Sequence, residues 1–293
     1  MANALDDIGT SVTGTASGKL TLSDPAKTTA LAGMRVFDIG QGDCIGLLDQ
    51  NNEVFCYVDY GGLGDHPDRG STATNPASTR MPVQYGAALT TIVLTHWDKD
   101  HYYSAKKYNT DAQKCQWLVP RQMASPQAVR FAAKLTNALC WPESRKKNAV
   151  KFAVGADHSI EIRKCSAFVA GALTEDRNST GLAVTLLCHE DGRLKTYMLL
   201  PGDCHFDGIP SLPGGAIRAL LAYHHGSRTH WSTATKTVIA GSLQTPRDLA
   251  YSFGKSNTYR HPRRDNYKTE WHPATVETPD LRAKGQRWHD FLW

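Results

Sequence analysis

A β-type run that ends in four candidate metal ligands constrains this chain more than any other part of its sequence. Residues 90–95 are apolar or β-branched and carry no charge, which is typical of a buried strand. The next six residues include His96, Asp98, Asp100 and His101. Imidazole and carboxylate together suit zinc, manganese or iron, and this ligand density fits two ions about 3.5–4 Å apart. The alternative is a polar loop that holds these four residues by chance.

Three further apolar runs each end in a candidate ligand. These ligands are Asp203, the adjacent pair His224 and His225, and His261. Adjacent histidines after a strand point in different directions, so one can bind a metal while the other contacts substrate or donates a proton. Each group alone is modest evidence. Together the four groups follow one another in the order that a two-metal site requires.

Short strands dominate the rest of the pattern. Apolar runs between turn residues predict strands at 34–39, 44–48, 54–58, 90–95, 160–162, 167–170, 182–187, 196–200, 217–223 and 248–253. Helices are predicted over 125–140, where Ser125 is a suitable N-cap, and over 235–243. Residues 1–30, rich in small polar residues, are predicted to be a flexible leader before one domain at 31–293.

The positive charge of the chain is unevenly placed. The formal net charge is +5, and the whole excess falls in residues 220–293, with 11 basic and 6 acidic side chains. Such a segment suits an anionic ligand, a nucleic acid or a membrane surface, or is only a solvated face. Because it adjoins two candidate ligand groups, we favour an anionic, phosphate-containing substrate.

Cysteine content and hydropathy indicate the cellular setting. The seven cysteines form no C-x-x-C pair, which predicts reduced thiols rather than a disulfide framework or a zinc knuckle. No run of 18 apolar residues is present, and the N-terminus lacks the pattern of a secretion signal. We therefore expect a cytoplasmic protein without a membrane partner.

These segments resemble the metallo-β-lactamase superfamily, and within it the hydrolase domain of the bacterial ComEC-type competence proteins. The resemblance runs from about residue 34 to 265, and its H-x-D-x-D-H motif has Asp98 where the second histidine is usual. The other matching blocks are Phe37-Asp38-Ile39-Gly40-Gln41-Gly42-Asp43, Val58-Asp59-Tyr60-Gly61-Gly62, Asn178-Ser179, Pro201-Gly202-Asp203, His224-His225-Gly226-Ser227 and Asn257-Thr258-Tyr259-Arg260-His261-Pro262. The resemblance implies an α/β (α+β) fold, an αββα sandwich of two mixed β-sheets flanked by helices.

The resemblance also implies two divalent metal ions, zinc or manganese, and a ligand set for each. The first ion would be held by His96, Asp98 and one of His224 and His225, with His225 favoured. The second ion would be held by Asp100, His101 and His261, and Asp203 would bridge the two ions. Three aspartates favour harder ions such as manganese more than an all-histidine site would.

Further residues match positions around such a centre. Asp59 would orient a ligand or the nucleophilic water, and His224, if not a ligand, would protonate the leaving oxygen. Tyr102 and Tyr103 replace the small residues usual after the motif, and they either line the substrate mouth or pack inside. The remaining candidate substrate contacts are Ser227, Asn257, Tyr259 and Arg260.

The resemblance implies hydrolysis by a metal-activated water, and three functions stay open. The first is a phosphodiesterase, above all a nuclease acting on DNA or RNA. The second is a small-molecule hydrolase for a phosphocholine-type ester, a cyclic nucleotide or a lactam. The third is a non-catalytic binding module, which the complete ligand set disfavours. A partner protein or a homo-oligomer is compatible with each of the three.

Overall fold

Short β-strands form most of the regular structure in this computed structural model. It describes residues 30–62, 81–122, 124–141, 149–165, 177–228, 248–254, 257, 259–267 and 274–293. The predicted leader (but for residue 30), the strand at 167–170 and the helix at 235–243 lie outside these ranges.

The described strands and helices follow the chain in one series. The strands are β1 (Leu31–Phe37), β2 (Cys44–Asp49), β3 (Val54–Tyr60), β4 (Gln84–Tyr85), β5 (Ala88–Leu89), β6 (Thr91–Val93), β7 (Gln116–Val119), β8 (Asn137–Cys140), β9 (Ala149–Val154), β10 (His158–Lys164), β11 (Leu182–Glu190), β12 (Arg193–Leu200), β13 (Ala216–Leu221), β14 (Asp248–Tyr251), β15 (Ala274–Glu277) and β16 (Trp288–Leu292). The α-helices are α1 (Tyr103–Lys107), α2 (Pro126–Ala132) and α3 (Thr278–Ala283). Single 3-10 turns lie at Lys99–His101, Thr110–Lys114, Phe206–Gly208, Tyr223–Gly226 and Arg264–Asn266.

The strands form two mixed sheets of seven strands each and a small hairpin, β4-β5. The first sheet has the order β16-β1-β2-β3-β6-β7-β8, antiparallel from β16 to β3 and parallel from β3 to β8. The second has the order β15-β14-β13-β12-β11-β10-β9, parallel from β15 to β12 and antiparallel from β12 to β9. Each sheet therefore has a parallel half, and only parallel strands bring their carboxyl ends to one edge.

One apolar core lies between the two sheets, and alternation along the strands produces it. In β3, Cys56 and Val58 face this core, while Tyr57 faces outward. In β12, Met198 and Leu200 face the core, while Tyr197 and Leu199 face outward. A strand that is apolar on both faces is covered on both sides. On the outer side of the first sheet the cover comes from α1 and α2, with Tyr102 and Phe131 packed beside Trp117. The two mixed sheets, with α1 and α2 on the outer side of the first, confirm the predicted fold class.

One predicted helix is shorter than its sequence pattern suggested. We predicted a helix over 125–140, but the structure has α2 at Pro126–Ala132 and then strand β8 at Asn137–Cys140. The start is as expected, since Ser125 Oγ accepts a hydrogen bond from the Ala128 amide, 3.2 Å away. The end differs because β8 pairs with β7 in parallel, which satisfies its backbone in the sheet.

The α-helices in the described ranges are short. The longest, α2, has 7 residues. Among the described residues no helix combines the length and apolarity that crossing a bilayer takes.

Candidate metal centre

The candidate ligands lie at the carboxyl ends of parallel strands from both sheets. Asp59 lies at the end of β3, and His96 follows β6 in the first sheet. Asp203 follows β12, and His224 and His225 follow β13 in the second. Ligands that are far apart in sequence meet here because the two parallel halves end at the same place.

Asp203 stands at the middle of the cluster, with each carboxylate oxygen facing a different pair of histidines. Its Oδ2 lies 3.3 Å from His96 Nε2 and 3.4 Å from His224 Nε2. Its Oδ1 lies 3.5 Å from His101 Nε2 and 3.8 Å from His225 Nε2. Asp203 therefore divides the cluster into a first half, which contains His96 and His224, and a second half, which contains His101 and His225.

Each half holds a second carboxylate. Asp98 Oδ2 lies 3.8 Å from His96 Nε2 in the first half. Asp100 belongs to the second half, with Oδ1 3.9 Å from His101 Nε2 and Oδ2 3.3 Å from His225 Nε2. Both halves thus contain two imidazoles and one aspartate besides the shared carboxylate of Asp203.

A left-handed backbone turn lets two adjacent histidines reach both halves. His224 has φ 43°, His225 has φ 55°, and Gly226 follows with φ 85°. Non-glycine residues in this region carry strain of roughly 1–3 kcal/mol each, so such turns persist only where surrounding contacts hold them. The turn directs both imidazoles toward Asp203 rather than to opposite sides of a strand.

Hydrogen bonds to Nδ1 hold three of the imidazoles with Nε2 directed into the cluster. His101 Nδ1 lies 2.7 Å from Asp59 Oδ2, and His225 Nδ1 lies 2.7 Å from the Ser252 carbonyl oxygen. His96 Nδ1 lies 3.1 Å from Thr95 Oγ1. In each case this network assigns the proton to Nδ1 and leaves the lone pair of Nε2 toward the carboxylates.

Asp59 lies behind the cluster and orients one histidine of each half. Its carboxylate accepts hydrogen bonds from the Thr95 backbone amide and hydroxyl and from His101 Nδ1, each at 2.7 Å. Since the Thr95 hydroxyl donates to Asp59, it is left to accept from His96. One buried carboxylate therefore orients His101 directly and His96 through the Thr95 hydroxyl.

Four donor atoms of the cluster are buried and lack hydrogen-bond partners among the described residues. Nε2 of His96, His101 and His225 and Oδ1 of Asp203 are all in this state within the described structure. Buried polar atoms are rarely left unpaired, because each loses its hydration without compensation. Imidazole and carboxylate groups are the usual ligands of divalent metals, and two of the groups close enough to hold an ion are His96, His101 and Asp203, and Asp100, His101 and His225, so the residues fit divalent metal binding.

The charge balance of the cluster also favours cations. Burial lowers the pKa of His101, but Asp59, Asp203 and Asp100 outweigh it and raise that pKa to about 10. Burial likewise opposes the charge of His225, yet Asp43, Asp100 and Asp203 raise its pKa above the ordinary value. The carboxylates thus favour positive charge at these imidazoles, which metal ions can supply in place of protons.

The carboxylate at the shared position is held ionised. Burial raises the pKa of Asp203, but His224, His96, His101 and His225 outweigh burial and lower it well below its usual range. An ionised carboxylate with two outward-facing oxygens is the form that coordinates metals.

Two glycines allow the motif loop to approach the neighbouring loops. A Cβ on Gly61 would lie 1.7 Å from the Asp100 carbonyl oxygen, and a Cβ on Gly42 would lie 2.0 Å from the same atom. Both positions require glycine because any side chain would displace Asp100. These contacts seat the Asp100 backbone between the ends of two other strands.

A cleft of about 620 Å³ opens over the cluster. Its lining residues are Gln41, Asp98, Lys99, Asp100, Asn178, Asp203, His224, His225, Ser227, Tyr259 and His261. The lining is mainly polar and charged. Of the predicted substrate contacts, Ser227 and Tyr259 line this cleft, and Tyr259 is exposed.

The arrangement of histidines differs from the one that the resemblance implied. His225 was favoured for the first ion and His261 was assigned to the second, but His225 lies with Asp100 in the second half. The first half contains His224 instead. The reason is the left-handed turn, together with the Ser252 carbonyl that fixes the His225 ring. His261 stands behind His224, with its Nδ1 3.0 Å from the His224 carbonyl oxygen.

The structure also corrects the prediction that Tyr102 contacts the substrate. It was a candidate substrate contact at the cleft mouth, but its side chain is fully buried. Its ring stacks on Phe131 of α2, with centroids 4.6 Å apart and planes 13° apart. The aromatic residue after the motif therefore packs the start of α1 against α2. Tyr103 is half-buried on the outer side of α1.

Two further predicted substrate contacts lie outside the cleft lining. Asn257 uses its side chain within its own loop: Nδ2 donates to the carbonyl oxygens of Gly254 and His261, and Oδ1 accepts from the His261 amide. Asn257 thereby holds His261 in place. Arg260 is exposed and has φ 60°. Neither residue belongs to the cleft lining.

Sequence reasoning missed Gln41 and Asp43 as residues of the site. Gln41 Nε2 lies 3.4 Å from Asp100 Oδ2, and its Oε1 accepts from the Gly254 amide at 3.2 Å. Asp43 is buried, with Oδ1 3.4 Å from His225 Nδ1. In the sequence, Gly40-Gln41-Gly42-Asp43 indicated a turn. The contacts of Gln41 with Gly254 and of Asp43 with His225 join loops about 200 residues apart, and no local pattern reveals them.

Comparisons with known proteins find similarity in structure alone. No protein-family model matches the chain, and no curated protein matches its sequence. Among similar solved structures, the diiron β-hydroxylase CmlA from Streptomyces venezuelae has 10% identity and a TM-score of 0.38, over 84% of this chain and 41% of that one. Human tRNase Z, short form, has 11% identity and a TM-score of 0.41, over 83% and 95%.

A metallo-β-lactamase, MIM-1 from Novosphingobium pentaromativorans, has 12% identity and a TM-score of 0.34, over 94% of both chains. The chain spans about two fifths of the length of CmlA. These likenesses are distant, so the function of the site is inferred from its own residues.

Proposed function

We propose that this chain is a two-metal-dependent hydrolase of the metallo-β-lactamase superfamily, and that it cleaves phosphodiesters. The position of Asp203 carries the proposal, because its two oxygens face two separate pairs of imidazoles. The order of the motifs along the chain and the two-sheet fold support the superfamily. The ComEC-type hydrolase domain is the branch whose motifs the sequence most resembles.

The geometry suggests the ligands of each ion. The first set would be His96, Asp98 and His224, the second Asp100, His101 and His225, and Asp203 would bridge them. Two such ions supply a hydroxide nucleophile near neutral pH and stabilise charge that develops on the attacked group. The donor set is compatible with zinc or manganese.

Residues of the chain itself would bind and orient the substrate. Lys99 lines the cleft with Asp98 and Asp100, and Arg177, which is not a lining residue, has its Nε 3.5 Å from Asp98 Oδ1. Two cations beside a carboxylate-rich centre suit the non-bridging oxygens of a phosphodiester. His261 also lines the cleft, and the His224 carbonyl oxygen holds its Nδ1, so its Nε2 would be available to a substrate.

A substrate panel tests this function. The purified protein, supplied separately with Zn²⁺ and Mn²⁺, is assayed on bis-p-nitrophenyl phosphate, single-stranded and duplex DNA, RNA, p-nitrophenyl phosphorylcholine, a cyclic nucleotide and a lactam. We expect hydrolysis of the simple phosphodiester and of a nucleic acid, abolished by a chelator and restored by metal. Turnover of only the phosphorylcholine ester, the cyclic nucleotide or the lactam would establish the small-molecule alternative, and hydrolysis that survives chelation would exclude the two-metal mechanism.

A further inference from the structure

Asp43 is a buried carboxylate to which the proposed function gives no role. Its side chain is fully buried, and neither of its oxygens has a hydrogen-bond partner among the described residues. Its Oδ1 lies 3.4 Å from His225 Nδ1, which is directed at the Ser252 carbonyl oxygen 2.7 Å away. A buried, ionised carboxylate without hydrogen bonds is costly unless positive charge lies close to it. Positive charge on the neighbouring His225 ring would therefore stabilise Asp43.

A second buried carboxylate lies behind the other histidine of the same half. Asp59 Oδ2 is 2.7 Å from His101 Nδ1, and ligand atoms of Asp43, Asp59 and His101 all lie within 4.8 Å of one another. Both carboxylates are thus on the Nδ1 side of the imidazoles, whereas Asp203 is on the Nε2 side. A carboxylate at one ring nitrogen makes the other nitrogen a stronger metal ligand.

In the first half, the Nδ1 atoms contact neutral groups. Thr95 Oγ1 lies 3.1 Å from His96 Nδ1, and Asn178 Nδ2 lies 3.5 Å from His224 Nδ1. A hydroxyl or an amide can orient an imidazole but carries no net charge. It therefore strengthens the attraction of the ring for a cation less than a carboxylate does.

The carboxylate of the first half is also the weaker of the two. Asp98 Oδ1 lies 3.5 Å from Arg177 Nε, so an arginine already balances part of its charge. The Asp98 side chain is 32% exposed, against 19% for Asp100, and His224 is 25% exposed, against 2% for His225. Water screens charges more effectively where they are exposed. The first half thus combines less negative charge with more screening.

We propose that the two halves bind metal unequally, with the second half as the tighter site, and that Asp43 is the positioning residue that makes His225 a strong ligand there. This inference rests on the proposed two-metal function and adds the order in which the ions bind. The ion of the first half would be the exchangeable one, so hydrolysis at limiting metal would follow the occupancy of the first half.

The size of the difference follows from the two carboxylates behind the second half. Groups behind metal-bound histidines typically change metal affinity by about 10- to 100-fold each. Since Asp43 and Asp59 both lie behind this half, we expect the two dissociation constants to differ by about a hundredfold or more.

Equilibrium removal of zinc tests the proposal. The zinc-loaded protein is equilibrated with a series of chelator buffers that fix the free Zn²⁺ concentration, and the zinc bound per chain gives a Kd for each step. The test variant is D43N, which keeps the size of the side chain but removes its charge. The matched control is D49N, because Asp49 is another buried aspartate, at the far end of β2.

A further variant, D98N, shows which step belongs to which half, because Asp98 lies beside His96 in the first half alone. Thermal unfolding shows which variants are folded. If D43N does not fold, the unaltered protein and D98N still decide the order of the two halves.

We expect two steps in the unaltered protein and a tight-step Kd that D43N raises about tenfold or more. The weak step of D43N should stay within about threefold, whereas a merely structural effect of the substitution would weaken both steps. D98N should weaken the weak step and leave the tight step within about threefold, and D49N should change neither step by more than about twofold.

Two steps with Kd values within about tenfold of each other would overturn the proposal. So would a folded D43N protein whose tight step is unchanged or whose two steps weaken equally. A D98N protein that loses the tight step and keeps the weak one would reverse the assignment of the halves, which also overturns the proposal.

The outcome separates this inference from the proposed function, because zinc binding requires no turnover. A protein that binds two ions unequally through Asp43 but hydrolyses no phosphodiester contradicts the proposed function alone. A protein that hydrolyses phosphodiesters but binds both ions with equal affinity contradicts the inference alone.

Discussion

Replacing Asp203 by asparagine is expected to lower phosphodiester hydrolysis by about a thousandfold or more. The substitution keeps the size of the side chain but removes the charge that faces four imidazoles from two sides. Each ion of a two-metal centre contributes several kcal/mol of transition-state stabilisation, and a loss of about 4 kcal/mol corresponds to three decades in rate. The measurement is kcat/KM for bis-p-nitrophenyl phosphate at saturating metal.

Asp207→Asn is the matched control, because Asp207 is exposed only four residues further along the same segment. We expect its kcat/KM to stay within about twofold of the unaltered protein, as is usual for a surface change. A D203N protein that is folded and retains a tenth or more of the activity would show that Asp203 does not bridge the two halves.

Chelation is expected to lower the thermal stability of the protein by about 8–16 °C. Without metal, the buried carboxylates and imidazoles of the cluster have no cations to balance the charge of the carboxylates. Ions that bind only the folded chain and are present at a thousand times their Kd add about 4 kcal/mol to the free energy of unfolding. In a chain of this size 1 kcal/mol shifts Tm by about 2–4 °C. The measurement is differential scanning calorimetry before and after removal of metal, with re-addition of Zn²⁺ or Mn²⁺.

The D203N protein is the control for this stability effect. Its Tm should respond much less to chelator, since the shared ligand is gone. If chelation leaves the Tm of the unaltered protein unchanged although metal analysis shows that ions were removed, the ions do not stabilise the fold through this cluster.

Many strands, and the candidate ligands that follow them, could be located from the sequence because local patterns encode where a strand ends. The buried run at 90–95 and the His and Asp residues after it lie where a strand ends and a loop begins, as expected. The helix predicted over 125–140 was too long because apolar spacing alone does not distinguish a helix from an edge strand such as β8. Pairing with β7 decided the structure of that segment.

The half of the cluster that each histidine joins depends on backbone geometry, which residue spacing does not reveal. The positive φ angles of His224 and His225 direct both imidazoles at Asp203, whereas an ordinary strand end would have separated them. Tyr102 was ambiguous for a similar reason, because only the position of Phe131 shows that its ring is buried. Gln41 and Asp43 could not be predicted because their contacts in the site join loops that are distant in sequence.

Anomalous diffraction can show whether Asp203 joins two metal sites. Crystals grown with Mn²⁺ or Zn²⁺ would be measured at the absorption edge of the metal. We predict two anomalous peaks, each within about 2.3 Å of one oxygen of Asp203, one beside His96 and His224 and the other beside His101 and His225. A single peak, or peaks away from Asp203, would contradict the account.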